Sequence, residues 1–508
     1  MARSLWAPRT YTRTLVLASS VGCLLAPLRT SHASAQTSPG ERLPVSELRL
    51  DNGMRFLLLP REGAPTISFV VQFGVGGVHE HLGTTGTAHL LEHMLFKGTA
   101  SIGTTDVEAE RPLFAAMDSL HDSLVLARSA TDSAAVDALR ARLDQLEDSA
   151  RTFVVANELD RILTRAGGQG LNATTTSEST MYYVELPSNR AELWFALEAD
   201  RMGNPVFREL YSERDVVMEE RRLRVETNPA GLLYELHLAT AYTVHPYGVP
   251  VVGYMSDLRS LSRRDVASYY DRYYGPGNAV VAIVGDLEPQ RMEEWARRYF
   301  GWLPSGQEPP PVLAEEPPQR GERRVELEWD AEPLLRIGWH VPSSLHDDAQ
   351  ALTVLSSLLT GSRTARLHQR LVVEDRLATS VFSSMGPGQR YPQLFQLDVT
   401  PRAPATTTEV EAAIYEELGH LAAEGPAEDE LERVRNQVRA GAVRRLQSNL
   451  GLAFQLASSE SLTGDWRDTF RSTGRLQEVD AEDVRRVLGA YLTERNRTVA
   501  TLVRRVDG

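Results

Sequence analysis

The chain has 508 residues, of which 42% are hydrophobic and 24% charged, as in ordinary globular proteins of roughly two to four domains. Its formal net charge of -14 argues against a nucleic-acid partner, because binding to phosphates requires a basic surface. The single cysteine, Cys23, excludes a disulfide framework.

The first 35 residues are typical of a secretory signal peptide. Three arginines precede an apolar stretch at residues 14–25, which is too short to span a bilayer comfortably. Ala33-Ser34-Ala35 then fits a signal-peptidase cleavage site. We therefore expect a periplasmic or secreted protein of a Gram-negative bacterium, without a stable membrane span. The alternatives are a retained membrane anchor and a lipoprotein attached at Cys23.

Strands are predicted at residues 47–59 and 66–73, and the helix that follows carries the most informative motif. This motif is His89-Leu90-Leu91-Glu92-His93. Histidines four residues apart lie on one helical face and can bind one metal ion together. Glu92 can point at the same site and suits a general base acting on water. The Thr-Thr-Gly run at residues 84–86 predicts the start of the helix. The apolar composition of the helix itself predicts that it is buried. The alternative is a helix with two histidines and no metal.

Residues 105–158 predict an inserted hairpin of two amphipathic helices, with a bend at residues 129–133. The hairpin either packs against the first domain or docks a partner. The segment Asn172-Ala173-Thr174 then predicts an edge strand beside the histidine-bearing helix. An edge strand has unpaired backbone groups that an extended peptide can join.

A catalytic zinc site usually has three protein ligands, so one ligand must come from elsewhere in the chain. The best candidate segment is residues 212–220, in which Ser212 can cap a helix. Glu213 and Glu220 are two turns apart and share a face, while Glu219 is an adjacent and equally acidic alternative to Glu220. Burial of part of this helix is predicted by its apolar residues, Val216, Val217 and Leu223.

An internal repeat relates two halves of the chain. Each copy predicts a capped helix that leads into a strand, at residues 278–285 in the first half and 497–504 in the second. Six identities recur at one offset of 218 residues, beginning in the first half with Asp265, Val266, Tyr273, Asn278, Val281 and Ala282.

The second half also opens with two predicted strands, at residues 324–329 and 333–340. The pattern predicts an α+β fold of two homologous domains, each a sheet with helices on one face. The predicted domains are residues 36–303 and 322–508, joined by a proline-rich linker at residues 304–321. The second half lacks the histidine motif, so at most one half is catalytic.

These motifs resemble the pitrilysin/insulinase family of zinc peptidases, in particular a bacterial branch similar to the β subunit of mitochondrial processing peptidase. The matching segments are residues 86–99, 170–175, 180–187, 197–202, 213–220 and 245–248. The resemblance implies two halves that face each other across a chamber, and a metalloendopeptidase with one Zn²⁺ per chain. It implies that His89, His93 and Glu220 bind the zinc and that Glu213 supports them. It further implies that substrate peptides add to the strand at Asn172, Ala173 and Thr174.

The second half departs from the pattern of many single-chain relatives. These relatives carry an arginine and, seven residues later, a tyrosine that binds substrate from across the chamber. Val372 and Thr379 stand at those places here. Arg370 or Arg376 can substitute only if the alignment is shifted. We therefore predict a heterodimer, in which a homologous subunit supplies the arginine and tyrosine.

The alternative function is a non-catalytic scaffold or peptide-binding subunit of the same fold. The complete set of His89, Glu92, His93 and Glu220 argues against it. A purely structural zinc site is also disfavoured, because such sites are usually closed by four ligands and rich in cysteine. The chain after its leader has no cysteine.

Overall fold

The computed structural model describes residues 43–307 and 309–504. The predicted signal peptide, including Cys23, lies outside the described residues. The elements of the first half are β1 (Ser46–Arg49), β2 (Arg55–Pro60), β3 (Thr66–Phe73), α1 (Thr87–Met94), α2 (Val107–Ser129), α3 (Ser133–Arg151), α4 (Glu158–Arg165), β4 (Gln169–Thr175), β5 (Thr180–Pro187), α5 (Ala191–Gly203), α6 (Leu210–Arg221), α7 (Pro229–Ala241), α8 (Met255–Ser260), α9 (Arg263–Tyr273), β6 (Ala279–Gly285) and α10 (Pro289–Phe300).

The second half contains a second sheet and its own helices. Its elements are β7 (Arg323–Trp329), β8 (Leu334–Val341), α11 (Ala349–Thr360), α12 (Arg366–His368), β9 (Ala378–Gly386), β10 (Gln393–Pro401), α13 (Thr407–Glu424), α14 (Glu428–Arg445), α15 (Asn449–Thr463), α16 (Asp468–Glu478), α17 (Ala481–Tyr491) and β11 (Arg497–Arg504). The predicted α+β class is therefore confirmed.

The two sheets share one strand order. The first runs β1-β2-β6-β3-β5-β4 and the second β7-β11-β8-β10-β9, so the five strands of the second sheet match the last five of the first. The pairs β2–β6 and β7–β11 are parallel. The other pairs of these five-strand sets are antiparallel. Strands β4 and β9 consequently lie at equivalent edges.

The residues of the internal repeat hold equivalent turns in the two halves. Capping boxes start α9 and α17, with Asp265 and Asp483 as the third helical residues. After each helix, an asparagine side chain donates a hydrogen bond to a tyrosine carbonyl, from Asn278 in the first half (2.9 Å) and Asn496 in the second (2.7 Å). These identities therefore serve the fold.

Each sheet is covered on one face by helices of its own half and on the other by a helix of the opposite half. Helix α15 lies across β3 and β6 of the first sheet, and α7 lies across β7 and β11 of the second. The contact with α15 is mostly apolar, and Leu456 belongs to one buried cluster with the sheet residues Leu57, Leu59, Val70, Val280, Ala282 and Val284. Two polar contacts flank it, Ser458 with Gln72 (3.2 Å) and Glu460 with Arg55 (3.0 Å). The halves are thus joined by a reciprocal exchange of helices.

The inserted segment forms the antiparallel pair α2 and α3, whose bend lies within the predicted residues 129–133. Asp106 and Asp132 cap the two helices, each accepting a backbone N–H through its side chain. Helix α2 packs towards α6 through a hydrogen bond from Tyr211 to Asp118 (2.8 Å) and one between Arg214 and His121 (3.2 Å). The hairpin therefore supports the helix that carries Glu213 and Glu220.

The proline-rich segment is anchored to the first half by one carboxylate. Glu316 accepts backbone N–H groups from Thr243, Val244 and His245 at 2.9–3.1 Å. These bonds lower the pKa of Glu316 against the opposing effect of burial. Within the described part of the chain, none of the helices combines the length and apolar character needed to cross a bilayer.

Candidate metal centre

Helix α1 is a buried helix whose start is fixed by the side chain of Glu80, six residues before Gly86. It begins after Gly86, which has a left-handed backbone (φ 88°) and no side chain to cap the helix. Glu80 takes that role by accepting the N–H groups of Gly86 (2.8 Å) and Ala88 (2.6 Å). The hydroxyls predicted to start the helix do not cap it, since Thr85 instead donates to Asp257.

The two histidines of α1 meet the carboxylate of Glu220 on α6. Nε2 of His89 lies 3.6 Å from one oxygen of Glu220, and Nε2 of His93 lies 3.5 Å from the other. One ligand atom each from His89, His93 and Glu220 lies within 4.8 Å of the other two. Among the described residues, these three side chains form the group that could hold a metal ion. Glu92 stands beside the group and is not part of it.

The donor set and its spacing fit zinc. A tetrahedral zinc ion with bonds of about 2.1 Å places its ligand atoms about 3.4 Å apart, and each histidine lies near that distance from a different oxygen of Glu220. Two imidazoles and one carboxylate are also a common set for catalytic zinc, which keeps one position open. Burial lowers the pKa of His89 to about 4, so its ring is neutral and available as a ligand at neutral pH.

Glu213 orients His93 from the side of the ring that faces away from Glu220. Its Oε1 lies 3.0 Å from Nδ1 of His93, which leaves Nε2 facing the metal position. Burial alone would lower the pKa of His93, but hydrogen bonds to Glu213 and Glu220 raise it to about 9. The pKa of Glu213 is lowered despite burial, because His93 and Lys97 both bond to its carboxylate.

Glu92 is held at the site by a hydroxyl that sequence reasoning did not identify. Thr175, the last residue of β4, donates a hydrogen bond of 2.5 Å to Glu92. Burial raises the pKa of Glu92, and the bond from Thr175 opposes that shift. A carboxyl with a raised pKa beside a metal position is suited to accepting and returning a proton.

Strand β4 lies at the edge of the first sheet, next to α1, as predicted. It pairs with β5 on one side, with Asn172 opposite Tyr183 and Thr174 opposite Met181. Asn172 and Thr174 are exposed while Ala173 is buried, so two side chains of this segment face solvent. The outer edge of β4 pairs with no other strand of the described residues, and there the backbone N–H of Ala173 donates to Oδ1 of Asn172 (2.9 Å).

The structure separates Glu220 from its neighbour and corrects three predictions on α6. Glu219 is exposed and pairs with Arg222 (2.8 Å), away from both histidines. The helix begins at Leu210 after Glu209, so Ser212 does not cap it. Burial of Val216 and Leu223 was wrong, because these side chains are 51% and 64% exposed, whereas Val217 is buried. Val216 lies in the middle of α6 on its solvent-facing side, and Leu223 lies beyond the end of the helix at Arg221.

In the second half, Val372 and Thr379 do not form a polar pair. Val372 packs partly against the core of that half, and the exposed Thr379 donates to the carbonyl of Thr400. Arg370 is engaged by Asp375 and Glu416 on the surface. The guanidinium of Arg370 therefore has acidic partners within its own half.

The motif His245-Pro246-Tyr247-Gly248 joins the two halves. The Tyr247 hydroxyl donates to Glu178 in the turn between β4 and β5. Glu178 also accepts the backbone N–H groups of Gln389 (2.9 Å) and Arg390 (2.8 Å), in the loop between β9 and β10. This motif therefore holds the loop of the second half against the first.

The fold and the metal-binding group define a class of proteins with two related halves, of which one carries a zinc motif of the order His-x-x-Glu-His. The model of the insulinase family, peptidase family M16, matches residues 55–111 and 151–254. The model of the M16 inactive domain matches residues 260–438. The chain belongs to this family. The break at residues 112–150 falls within α2 and α3, the inserted hairpin.

Several relatives in this family carry names that refer to proteolysis. The chain is 30% identical over 355 residues to the zinc protease PqqE of Helicobacter pylori, covering 67% of each protein. It is 24% identical over 491 residues to a probable β subunit of mitochondrial processing peptidase from Arabidopsis thaliana, covering 94% of this chain and 81% of that one. The crystal structure of a Helicobacter pylori protease superimposes with a TM-score of 0.77 at 25% identity, covering 91% of this chain and all of that one.

Proposed function

We propose that the chain is a zinc-dependent endopeptidase that hydrolyses peptides or unfolded protein segments, with Glu92 as the general base. The observation that carries this proposal is the geometry around α1. Ligand atoms of two histidines and Glu220 lie within 4.8 Å of one another, and the base candidate Glu92 is held beside them by Thr175. Catalytic zinc sites in hydrolases combine these parts.

In this mechanism His89, His93 and Glu220 would hold one Zn²⁺ per chain. The metal, when bound, supplies Lewis acidity that activates water and polarises the scissile carbonyl. Glu92 accepts the proton of the attacking water and returns it to the leaving amine nitrogen. Thr175 keeps the carboxylate of Glu92 turned towards the reacting atoms, and Glu213 fixes the ring of His93.

The substrate lies along β4 in this proposal. The backbone of an extended peptide would pair with Asn172, Ala173 and Thr174 as an additional strand. Because that pairing uses main-chain groups, recognition would depend on extension more than on side-chain identity. Folded proteins would be poor substrates, since their strands are already paired.

The active form would be a heterodimer in the periplasm or outside the cell. Val372 and Thr379 cannot supply the guanidinium and phenol that related enzymes use opposite the zinc. A homologous chain lacking the zinc motif would supply that pair from across the chamber. The leader at residues 1–35 supports export, which would bring the enzyme to peptides outside the cytoplasm.

The experiment is a hydrolysis assay with the mature full chain and a panel of quenched fluorescent peptides. The metal is first removed with a chelator and zinc is then restored, with and without the homologous chain. Zinc-dependent hydrolysis that requires the second chain is the expected result. Full activity of the single chain would refute the two-subunit proposal. A folded, zinc-loaded pair that hydrolyses no extended peptide would refute the peptidase and favour a scaffold.

A further inference from the structure

Lys97 is the only lysine in a chain with 54 lysine and arginine residues in total. Every other basic side chain of these two types is therefore an arginine. Arginine and lysine differ in shape, since the guanidinium is a planar fork and the ammonium is a compact point charge. Position 97 is therefore the one place in the sequence that carries the compact ammonium group.

The side chain of Lys97 is directed at the carboxylates beside the metal centre. Its Nζ lies 2.5 Å from Oε2 of Glu213 and 3.7 Å from Oε2 of Glu209. The other oxygen of Glu213, Oε1, lies 3.0 Å from Nδ1 of His93. The carboxylate of Glu213 is thus held at both oxygens, by the ammonium on one side and the imidazole on the other.

The backbone of Lys97 is fixed as firmly as its side chain. The buried Arg208 donates to the carbonyl of Lys97 (2.8 Å) and is itself paired with the buried Glu110 of the inserted hairpin. The chain then turns at Gly98 (φ 98°), where a Cβ atom would lie 2.2 Å from the carbonyl oxygen of Ile102. Lys97 therefore has little freedom to retreat from Glu213.

We propose that Lys97 is a positioning residue of the metal centre, whose compact ammonium fixes Glu213 so that His93 presents Nε2 to the metal. The inference rests on the zinc site of the proposed function and adds Lys97 to the residues that hold its ligands in place. We expect an arginine to fit Glu213 less well here, because a guanidinium is larger than an ammonium and Arg208 holds the backbone carbonyl of residue 97 in place. The line of contacts runs from the hairpin through Arg208 and Lys97 to Glu213 and His93.

The test compares Lys97→Met and Lys97→Arg with wild type in the mature full chain. Zinc affinity is measured by competition with a chelating indicator after the metal has been removed. Loss of a group that orients a ligand typically weakens metal binding about 10- to 100-fold, and we expect about 10-fold for both variants. Glu213→Gln should lose at least as much. Arg111→Met, which removes an exposed positive charge on α2, is the matched control and should bind like wild type.

The thermal unfolding of the metal-free variants separates positioning from a purely structural role. Positioning predicts weaker zinc binding with the metal-free midpoint unchanged, whereas a structural salt bridge predicts a lower midpoint and normal zinc binding. The second result would overturn the proposal, as would Lys97→Arg binding zinc within twofold of wild type. Because zinc affinity is read without a substrate, the result stands even if the chain proves not to be a peptidase.

Discussion

The exchange of helices between the halves predicts that a mutation in the second half destabilises the first. Leu456 of α15 is fully buried against the first sheet. Leu456→Ala removes a buried side chain and leaves a cavity that the surrounding strands cannot readily fill. Such substitutions lower the free energy of unfolding by about 3 to 4 kcal/mol. Where backbone amides exchange through opening of that region, their exchange rates should rise about 100- to 1,000-fold.

Hydrogen exchange read by mass spectrometry locates the effect. We expect faster exchange in β3 and β6, which are more than 170 residues from the mutation in sequence and lie directly beneath it. Leu126→Ala on α2 is the control, since its side chain is 71% exposed and its loss should cost under about 0.5 kcal/mol. If exchange rises only in α15 and its neighbours in the second half, the claim that the halves stabilise each other is refuted.

Three further predictions concern the metal centre and the contact between the halves. Glu220→Gln should weaken zinc binding at least 10-fold, as measured with a chelating indicator, while its exposed neighbour variant Glu219→Gln binds normally; equal losses would refute the choice of Glu220. Thr175→Val should lower kcat about 10-fold or more with zinc content unchanged, because a hydrogen bond to a charged group contributes about 1.5 to 3 kcal/mol; an unchanged kcat would remove Thr175 from the mechanism. His237 is buried and burial lowers its pKa to about 3, so unfolding, which restores a value near 6.5, takes up a proton as the pH falls between these values. His237 alone should therefore remove about 1.4 kcal/mol of stability to urea per pH unit as the pH falls below 6.5, and His237→Leu should make the overall slope shallower by that amount, whereas an identical slope in the variant would contradict the assignment.

Several elements could be predicted from the sequence because local pattern and fold agree there. Strands β3 and β11 have the predicted bounds, since β3 is a mostly apolar run that ends before Gly74 and β11 carries the identities of the internal repeat. The burial of α1 follows from its composition, and the capped helices α9 and α17 follow from the repeat. In these segments the local sequence pattern alone is enough to predict the element.

Other features depend on contacts between residues distant in sequence. Only the fold places Thr175 against Glu92, which lies 83 residues away. Glu80 is close to α1 in sequence, but it matches no capping pattern there and could not be predicted as the cap. The apolar residues of α15 indicate burial, but they do not show that the helix covers the sheet of the other half. The exposure of Val216 likewise depends on which side of α6 faces the core, and that of Leu223 on the end of the helix at Arg221, neither of which follows from apolar residues alone.

The central claim is that Glu92 moves the proton in a zinc-dependent peptide hydrolysis. The most direct measurement titrates zinc into metal-free wild type and Glu92→Gln, each with its homologous partner chain, while following hydrolysis of one extended peptide. The account predicts a wild-type rate that rises with occupancy to one zinc per chain, and no rate above background in the variant at the same occupancy. Hydrolysis by zinc-loaded Glu92→Gln at the wild-type rate would contradict the account.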